Sequence, residues 1–239
     1  MNGRRHGFIA TIIVVMSVIA LMAVFYFAKL TPDAAAAQAD TIDQILRVLF
    51  MIGGGIFALV MALLLYSVFA FRRRPDDTTD GPGVQGDNRL EALWTIIPLA
   101  ILIGLAVYGA ITLGTIRPGP TPQELEVNVT GFQWAWQFEY PQQGITPTEL
   151  RLPVSRPVLF RLHSPDVVHS FWVPEWRVKQ DLVPGMHTEL RITPTTTGSF
   201  RLLCAELCGV GHAIMRANVM VVPPAEFDRW VAEQKGQTR

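Results

Sequence analysis

The sequence predicts two kinds of structure in one chain: transmembrane α-helices first, then an all-β domain. Three observations carry that prediction. Uncharged apolar runs at 8–28, 48–71 and 93–114 hold 21, 24 and 22 residues, and ~20 residues cross ~30 Å of hydrocarbon as a helix. From Leu125 onward, short β-prone segments alternate with Pro and Gly, the pattern of an antiparallel sandwich or barrel. Hydrophobic residues make up 50% of the 239 positions, and 20 basic residues balance 20 acidic ones. Such a balance gives no support to nucleic-acid binding.

The second and third runs are plain membrane helices by length, whereas the first requires argument. It follows Arg4, Arg5 and His6 and precedes an alanine-rich stretch at 34–39, the layout of a secretory signal cut near Ala39 or Asp40. Its apolar run, however, exceeds the ~7–15 residues of a signal's hydrophobic region. Retention as an N-terminal membrane helix is therefore the expectation, with Lys29 snorkelling at its outer end.

Charge sets the orientation. Arg72, Arg73 and Arg74 follow the second run directly, and short basic loops stay cytoplasmic. Arg4 and Arg5 put the N-terminus on the same side. Asp33, Asp40, Asp43 and everything after Gly114 then lie outside, whether or not the first helix is cut. Gly53, Gly54 and Gly55 read as a seam for another helix, since small residues permit close approach in a membrane. Pro98 is read in the first turns of the third helix, where a missing N–H costs little. Residues 72–88 carry Pro75, Asp76, Asp77, Asp80, Gly81, Pro82, Gly83 and Gly86, a turn-rich connector.

Strands are predicted at 125–130, 134–140, 149–152, 158–162, 170–173, 188–192, 199–203 and 217–222. A helix at 225–234 closes the chain. The boundaries are 1–44 for the signal-like or retained helix with its outer linker, 45–115 for a helical hairpin with a cytoplasmic loop, and 116–239 for the outer domain.

The chemistry concentrates in residues 204–215. Cys204 and Cys208, the only cysteines, share twelve residues with His212 and Met215. Soft sulfur with imidazole suits copper better than oxygen-seeking ions. His169 is the best candidate for a distant fourth side chain. Two cysteines four apart can bridge a pair of ions, each completed by one histidine and a weak ligand such as Met215 or a carbonyl. A disulfide and a structural zinc site are the alternatives; the first leaves His212 and Met215 unexplained, the second Met215. The joint spacing points to an electron-transfer site, placed where loops gather at one end of a β-scaffold.

These residues resemble subunit II of the haem–copper cytochrome c oxidases, which carries the dinuclear copper centre CuA. Matching stretches run in the family's order: 91–98 entering a membrane helix, the aromatic run 133–140, Asp166 to Phe171, Val173-Pro174 leading to Lys179-Gln180-Asp181, Pro184-Gly185, and the cysteine run. The similarity spans roughly 45–231. It implies a cupredoxin-like Greek-key domain with Cys204 and Cys208 as bridging thiolates and His169 and His212 as terminal ligands. Met215 and the Glu206 carbonyl would be the weak ligands, and the Glu206 side chain would face a magnesium or manganese shared with subunit I. Asp166 would orient the ligands. Trp134 matches the aromatic where electrons enter, and Glu91 a carboxylate near a proton-pathway mouth; read as residues alone, Trp134 and Trp136 are ordinary strand aromatics.

The resemblance further implies a proton-translocating oxidase in the cell (plasma) membrane, with the copper domain on the outer, periplasmic face. Subunits I and III would be partners, and cytochrome c or a small copper protein the donor. Departures are Phe132 and Ala135, where many members carry histidine and tyrosine, Met186 at an often basic position, and the additional N-terminal helix. No Cys-x-x-Cys-His occurs, so no c-type haem attachment is encoded here. The competing class is a membrane-anchored copper chaperone or thiol-redox protein, which shares the cysteine spacing but has a thioredoxin-like βαβ pattern. After Thr115 there are 12 basic and 12 acidic residues, so net charge does not choose the donor.

Overall fold

The computed structural model describes residues 3–73, 76, 78–81, 83 and 85–237. Arg74, Pro75, Asp77, Pro82 and the Arg4 side chain, used above for orientation and for the connector, lie outside the described residues. The chain divides into two compact units, one of Leu30 and earlier with Gln44–Thr112, the other of Thr31–Asp43 with Leu113 onward.

The first unit contains α1 (Gly3–Phe27), most of α2 (Ala37–Ala70) and most of α3 (Asn88–Ile116). All three are long and apolar enough to cross a membrane. α2 starts well before its apolar run, with Asp40 in its first turn, where a carboxylate suits the positive end of the helix dipole. α3 likewise starts early, capped by the Asp87 carboxylate, which accepts from the Arg89 and Leu90 N–H groups at 2.9 and 3.2 Å. That early start corrects the placement of Pro98, which lies in the helix interior. There it removes the bond to the Trp94 carbonyl.

The glycine seam of α2 receives α1. A Cβ on Gly54 would come within 2.5 Å of the Phe25 ring, and one on Gly55 within 3.6 Å of Met22. Phe25 also stacks on Phe50 with ring centroids 5.4 Å apart. At the other end His6 Nδ1 sits 2.7 Å from the Tyr66 hydroxyl. Gly53 has no such neighbour.

The second unit is a sandwich of nine strands: β1 (Leu125–Phe132), β2 (Ala135–Glu139), β3 (Leu150–Pro153), β4 (Val158–His163), β5 (His169–Trp172), β6 (Lys179–Leu182), β7 (Thr188–Ile192), β8 (Gly198–Cys204) and β9 (Arg216–Val222), closed by α4 (Pro224–Gln237). One sheet has the order β2-β1-β4-β7 and the other β3-β9-β8-β5-β6, a cupredoxin-like Greek-key arrangement. The expectation of an antiparallel sandwich needs one correction, because β1 pairs with β4 and β3 with β9 in parallel. Parallel neighbours need a long crossover rather than a hairpin, and β2 with β3 supplies that crossover between β1 and β4.

Alternation sets the core. β1 buries Leu125, Val127 and Val129 and leaves the residues between them half-buried, as a pleated strand with one covered face must. Phe138, Phe160, Phe171, Trp176 and Leu202 meet them from the other strands and turns. Each such side chain contributes roughly 1.5–3 kcal/mol on burial. Tyr140 spans the closing end, accepting from the Arg151 N–H at 2.9 Å and donating to its carbonyl at 2.7 Å.

Residues 31–43 belong to this unit although they precede α2. Ala36 bridges to Pro194, Ala35 donates to the Glu175 carbonyl, and Ala37 donates to that of Thr193. Ala35, Ala36 and Ala39 are buried. The Gln38 amide spans the Arg191 carbonyl and the Thr193 N–H, both at 3.3 Å. Arg177, nearly buried, holds the Asp43 carboxylate at 2.8 and 3.1 Å, and also donates to the carbonyls of Pro32 and Pro174.

Candidate metal centre

Two strands and one loop build the site. His169 opens β5 and Cys204 ends β8, and these strands pair with Phe171 opposite Cys204. The Cys204 N–H donates to the Met215 carbonyl at 3.1 Å, and the Ala205 N–H to that of Ser170 at 3.0 Å. Both ends of the loop 205–215 are thereby fixed to the sheet. Gly209, at φ 118°, takes a conformation open to glycine but strained for other residues, which reverses the chain after Cys208. A single 3₁₀ turn at His212–Ile214 then presents His212 and Met215.

Six donors converge. The two thiol sulfurs stand 3.8 Å apart and are not bonded to each other. His169 Nδ1 lies 3.8 Å from Cys204 Sγ, and His212 Nδ1 lies 3.6 Å from Cys208 Sγ. Met215 Sδ is 3.8 Å from Cys208 Sγ, and the Glu206 carbonyl is 3.3 Å from Cys204 Sγ. His169, Cys204 and Cys208 form a buried cluster with ligand atoms within 4.8 Å of one another. Burial, reinforced by the adjacent Cys204 thiol, pushes the Cys208 thiol up to about 11, so a metal must displace protons to bind here.

Asp166 orients this set. Its Oδ1 lies 2.9 Å from His169 Nε2, which leaves Nδ1 as the free lone pair toward sulfur. Burial works to raise the Asp166 carboxyl. Hydrogen bonds from the Gln133 N–H, His169, the Val167 N–H and Ser164 outweigh burial and hold it at about 2. Gln133 was not visible as a participant in the sequence. Its N–H binds Asp166 at 2.7 Å and its side-chain amide donates to the Cys208 carbonyl at 2.8 Å. No spacing rule announces that role, which follows only from the position of Gln133 at a hairpin tip.

Trp134 occupies the same tip. Phe132 pairs with Ala135, so Gln133 and Trp134 are the two loop residues between β1 and β2. This corrects the reading of Trp134 as a strand residue. The residue is 40% exposed, and its Nε1 donates to the Cys208 carbonyl at 3.3 Å. A Cβ on Gly211 would strike the indole at 2.4 Å, so glycine there lets the ring lie on the ligand loop. Trp136, by contrast, is a buried strand aromatic against Phe171. Glu91 belongs to the first turn of α3 and is not part of the cluster.

The donor set decides which metal fits. A tetrahedral zinc site needs only two thiolates and two imidazoles and leaves a thioether and a carbonyl unused. Copper accepts weak axial ligands of both kinds.

Residues 23–110 match the family described as cytochrome c oxidase subunit II, transmembrane domain, and residues 145–222 match its periplasmic domain. The chain belongs to the cytochrome c oxidase subunit II family. It is similar to cytochrome c oxidase subunit 2 of Synechocystis sp., with 36% identity over 85% of this chain and 75% of that protein. Subunit 2 of Thermostichus vulcanus is 33% identical over 84% and 77%. Among solved structures, the periplasmic domain of subunit II from Bradyrhizobium japonicum is 30% identical, covers 49% of this chain and 97% of its own, and superposes with a TM-score of 0.47. As a subunit II, the chain is a membrane-anchored component of a cytochrome c oxidase with a periplasmic domain. Family and cluster together support a CuA-type copper site. No βαβ unit occurs among the described residues, which sets aside the thioredoxin-like copper chaperone.

Proposed function

We propose that this chain relays electrons from cytochrome c, or a similar small donor, to the haem of subunit I, where oxygen is reduced. The convergence of two thiols, two imidazole Nδ1 atoms, one thioether and one carbonyl within 3.3–3.8 Å contacts carries the reading. When bound, a copper pair supplies a one-electron store shared across two sulfurs. Cys204 and Cys208 would bridge it, His169 and His212 would terminate it, and Met215 and the Glu206 carbonyl would be its weak ligands.

The protein's own residues keep that set from moving. Asp166 holds the His169 ring, Gln133 holds Asp166, and the loop ends are tied to β5 and β8. Ligands that do not rearrange keep the cost of changing oxidation state low. Trp134 offers an exposed face to a donor and bonds the carbonyl of a ligand residue, a path from the surface to the ligand loop. Glu206 would face a magnesium or manganese at subunit I, and Glu91 would lie near a proton-pathway mouth. Subunit III and a location in the plasma membrane complete the reading.

Metal analysis of the purified protein tests it, together with electron paramagnetic resonance. Two coppers per chain and a signal shared between two nuclei are expected. One copper per chain with a single-copper hyperfine pattern overturns the dinuclear assignment.

A further inference from the structure

A second pair of metal-seeking side chains lies away from the ligand loop, on the outer face of the sheet β2-β1-β4-β7. β4 buries Phe160 and Leu162, so Arg161 and His163 take the opposite face. β7 pairs with β4 and sets Thr188 opposite Leu162. One step further, the same register puts His187 opposite His163. Side chains directly opposite on paired antiparallel strands have Cβ atoms ~4.5–5.5 Å apart. The two imidazoles accordingly stack, with centroids 4.9 Å apart and planes 28° from parallel.

The chain has five histidines, and these two differ from the rest. His6 meets Tyr66, His169 meets Asp166 and His212 meets Cys208. Among the described residues, neither His163 nor His187 has a hydrogen bond or an ion pair. His163 Nδ1 is buried in that state, which is uncommon, because buried polar atoms are nearly always satisfied. His187 is exposed, so its ring can swing within picoseconds to nanoseconds. A groove of about 460 Å³ surrounds the pair, lined by Glu126, Glu139 and Arg161 among others. Arg161 is tied to Glu126 and Glu189, so carboxylates outnumber the guanidinium and the local charge favours a cation.

We infer that His163 and His187 form a second metal site, which chelates one borderline divalent ion of the Zn²⁺ class through one nitrogen of each ring, with water in the remaining positions. Imidazole suits Zn²⁺, Ni²⁺ and Cu²⁺ better than it suits hard, oxygen-seeking ions. Zinc–nitrogen bonds of roughly 2.0–2.1 Å come within reach once the His187 ring tilts out of the stack. The ion claims from each ring a lone pair that no protein group uses. It also joins β4 to β7, the strand at the edge of its sheet.

The test titrates Zn²⁺ into the intact, copper-loaded oxidase by calorimetry, with the copper spectrum recorded throughout. Native protein should take up one more Zn²⁺ per chain than the His187→Gln variant, whose exposed position leaves the fold alone. Affinity at the site should fall on the order of 100-fold, because one arm of a two-arm chelate is gone. His163→Gln should lose the same ion, and an unchanged copper spectrum shows that this variant is folded. Acidification should release the ion from native protein, since protons compete with metal for imidazole. With Cu²⁺ as the probe, electron paramagnetic resonance should add one mononuclear signal split by two nitrogens, missing from both variants. Equal Zn²⁺ uptake by native and His187→Gln protein overturns the proposal. So does a loss confined to one of the two variants, or a Cu²⁺ signal split by a single nitrogen, because either leaves a lone imidazole and no chelate.

Discussion

The ligand loop 204–215 and the segment 31–43 both lie against the same sandwich, yet their polar atoms are arranged in opposite ways. In the loop, like meets like: thiols, thioether and imidazole nitrogens aim lone pairs at a common point. In the segment, opposites meet: guanidinium with carboxylate, amide N–H with carbonyl. A set of like donors is completed by an ion, whereas a set of complementary pairs is completed by the protein. Damage to the loop should therefore erase metal binding and spare the fold. Damage to the segment should loosen the fold and spare the metal.

The sharpest break comes at the thiols. Cys204→Ser or Cys208→Ser should abolish the shared two-copper signal, while thermal unfolding of the metal-free protein moves little. A persisting two-copper spectrum in either variant would show that the sulfurs do not bridge.

Arg177→Ala attacks the other region. Stranding the largely covered Asp43 and opening the pocket around it should cost about 3–5 kcal/mol, read as a lower denaturation midpoint with an unchanged copper spectrum below it. A soluble fragment starting at Pro118 should still bind two coppers but unfold more readily, and a synthetic peptide of residues 31–43 should restore part of the loss. If the fragment is as stable as the intact unit, the segment is not part of the fold.

The same segment bears on processing. Cleavage near Ala39 or Asp40 would delete the buried Ala35 and Ala36 and the Gln38 bridge, and would discard the helix seated on Gly54. N-terminal sequencing of the purified subunit should find α1 attached; a start at Ala39 or Asp40 refutes this.

Within the loop, Asp166→Asn should weaken copper retention by about 10–100-fold, measured by competition with a chelator, because the amide no longer fixes the His169 ring as a carboxylate does. Met215→Leu should have the smallest effect. Both coppers stay, and only the midpoint potential shifts, since a weak axial ligand tunes more than it holds. Loss of one copper in that variant would make Met215 a structural ligand.

Whatever depended on local spacing was legible in the sequence. The helices follow from run length, and the cluster of Cys204, Cys208, His212 and Met215 lies within one loop. Asp166 and His169 are three apart, so their pairing was also within reach. What escaped depends on distant strands. β6 reads as Lys-Gln-Asp-Leu, an edge strand with only Leu182 buried, so it carries no alternation to detect. Trp134 looked like a strand residue because nothing in a single strand marks where a two-residue hairpin turns. Ala35 and Ala36 resemble a cleavage site because small side chains serve two purposes, fitting a peptidase and fitting beneath Pro194. Only the folded sandwich separates the two.

The bond between Asp43 and Arg177 joins residues 134 positions apart, and this sets a timetable for biogenesis. At ~5–20 residues per second, the segment at 31–43 emerges on the order of ten seconds before its binding surface exists. In that interval α2 and α3, which lie between the two in the sequence, must be made and delivered to the bilayer. The early-made segment therefore waits unpaired on the far side of the membrane, and the outer unit is finished only after the helices that tether it.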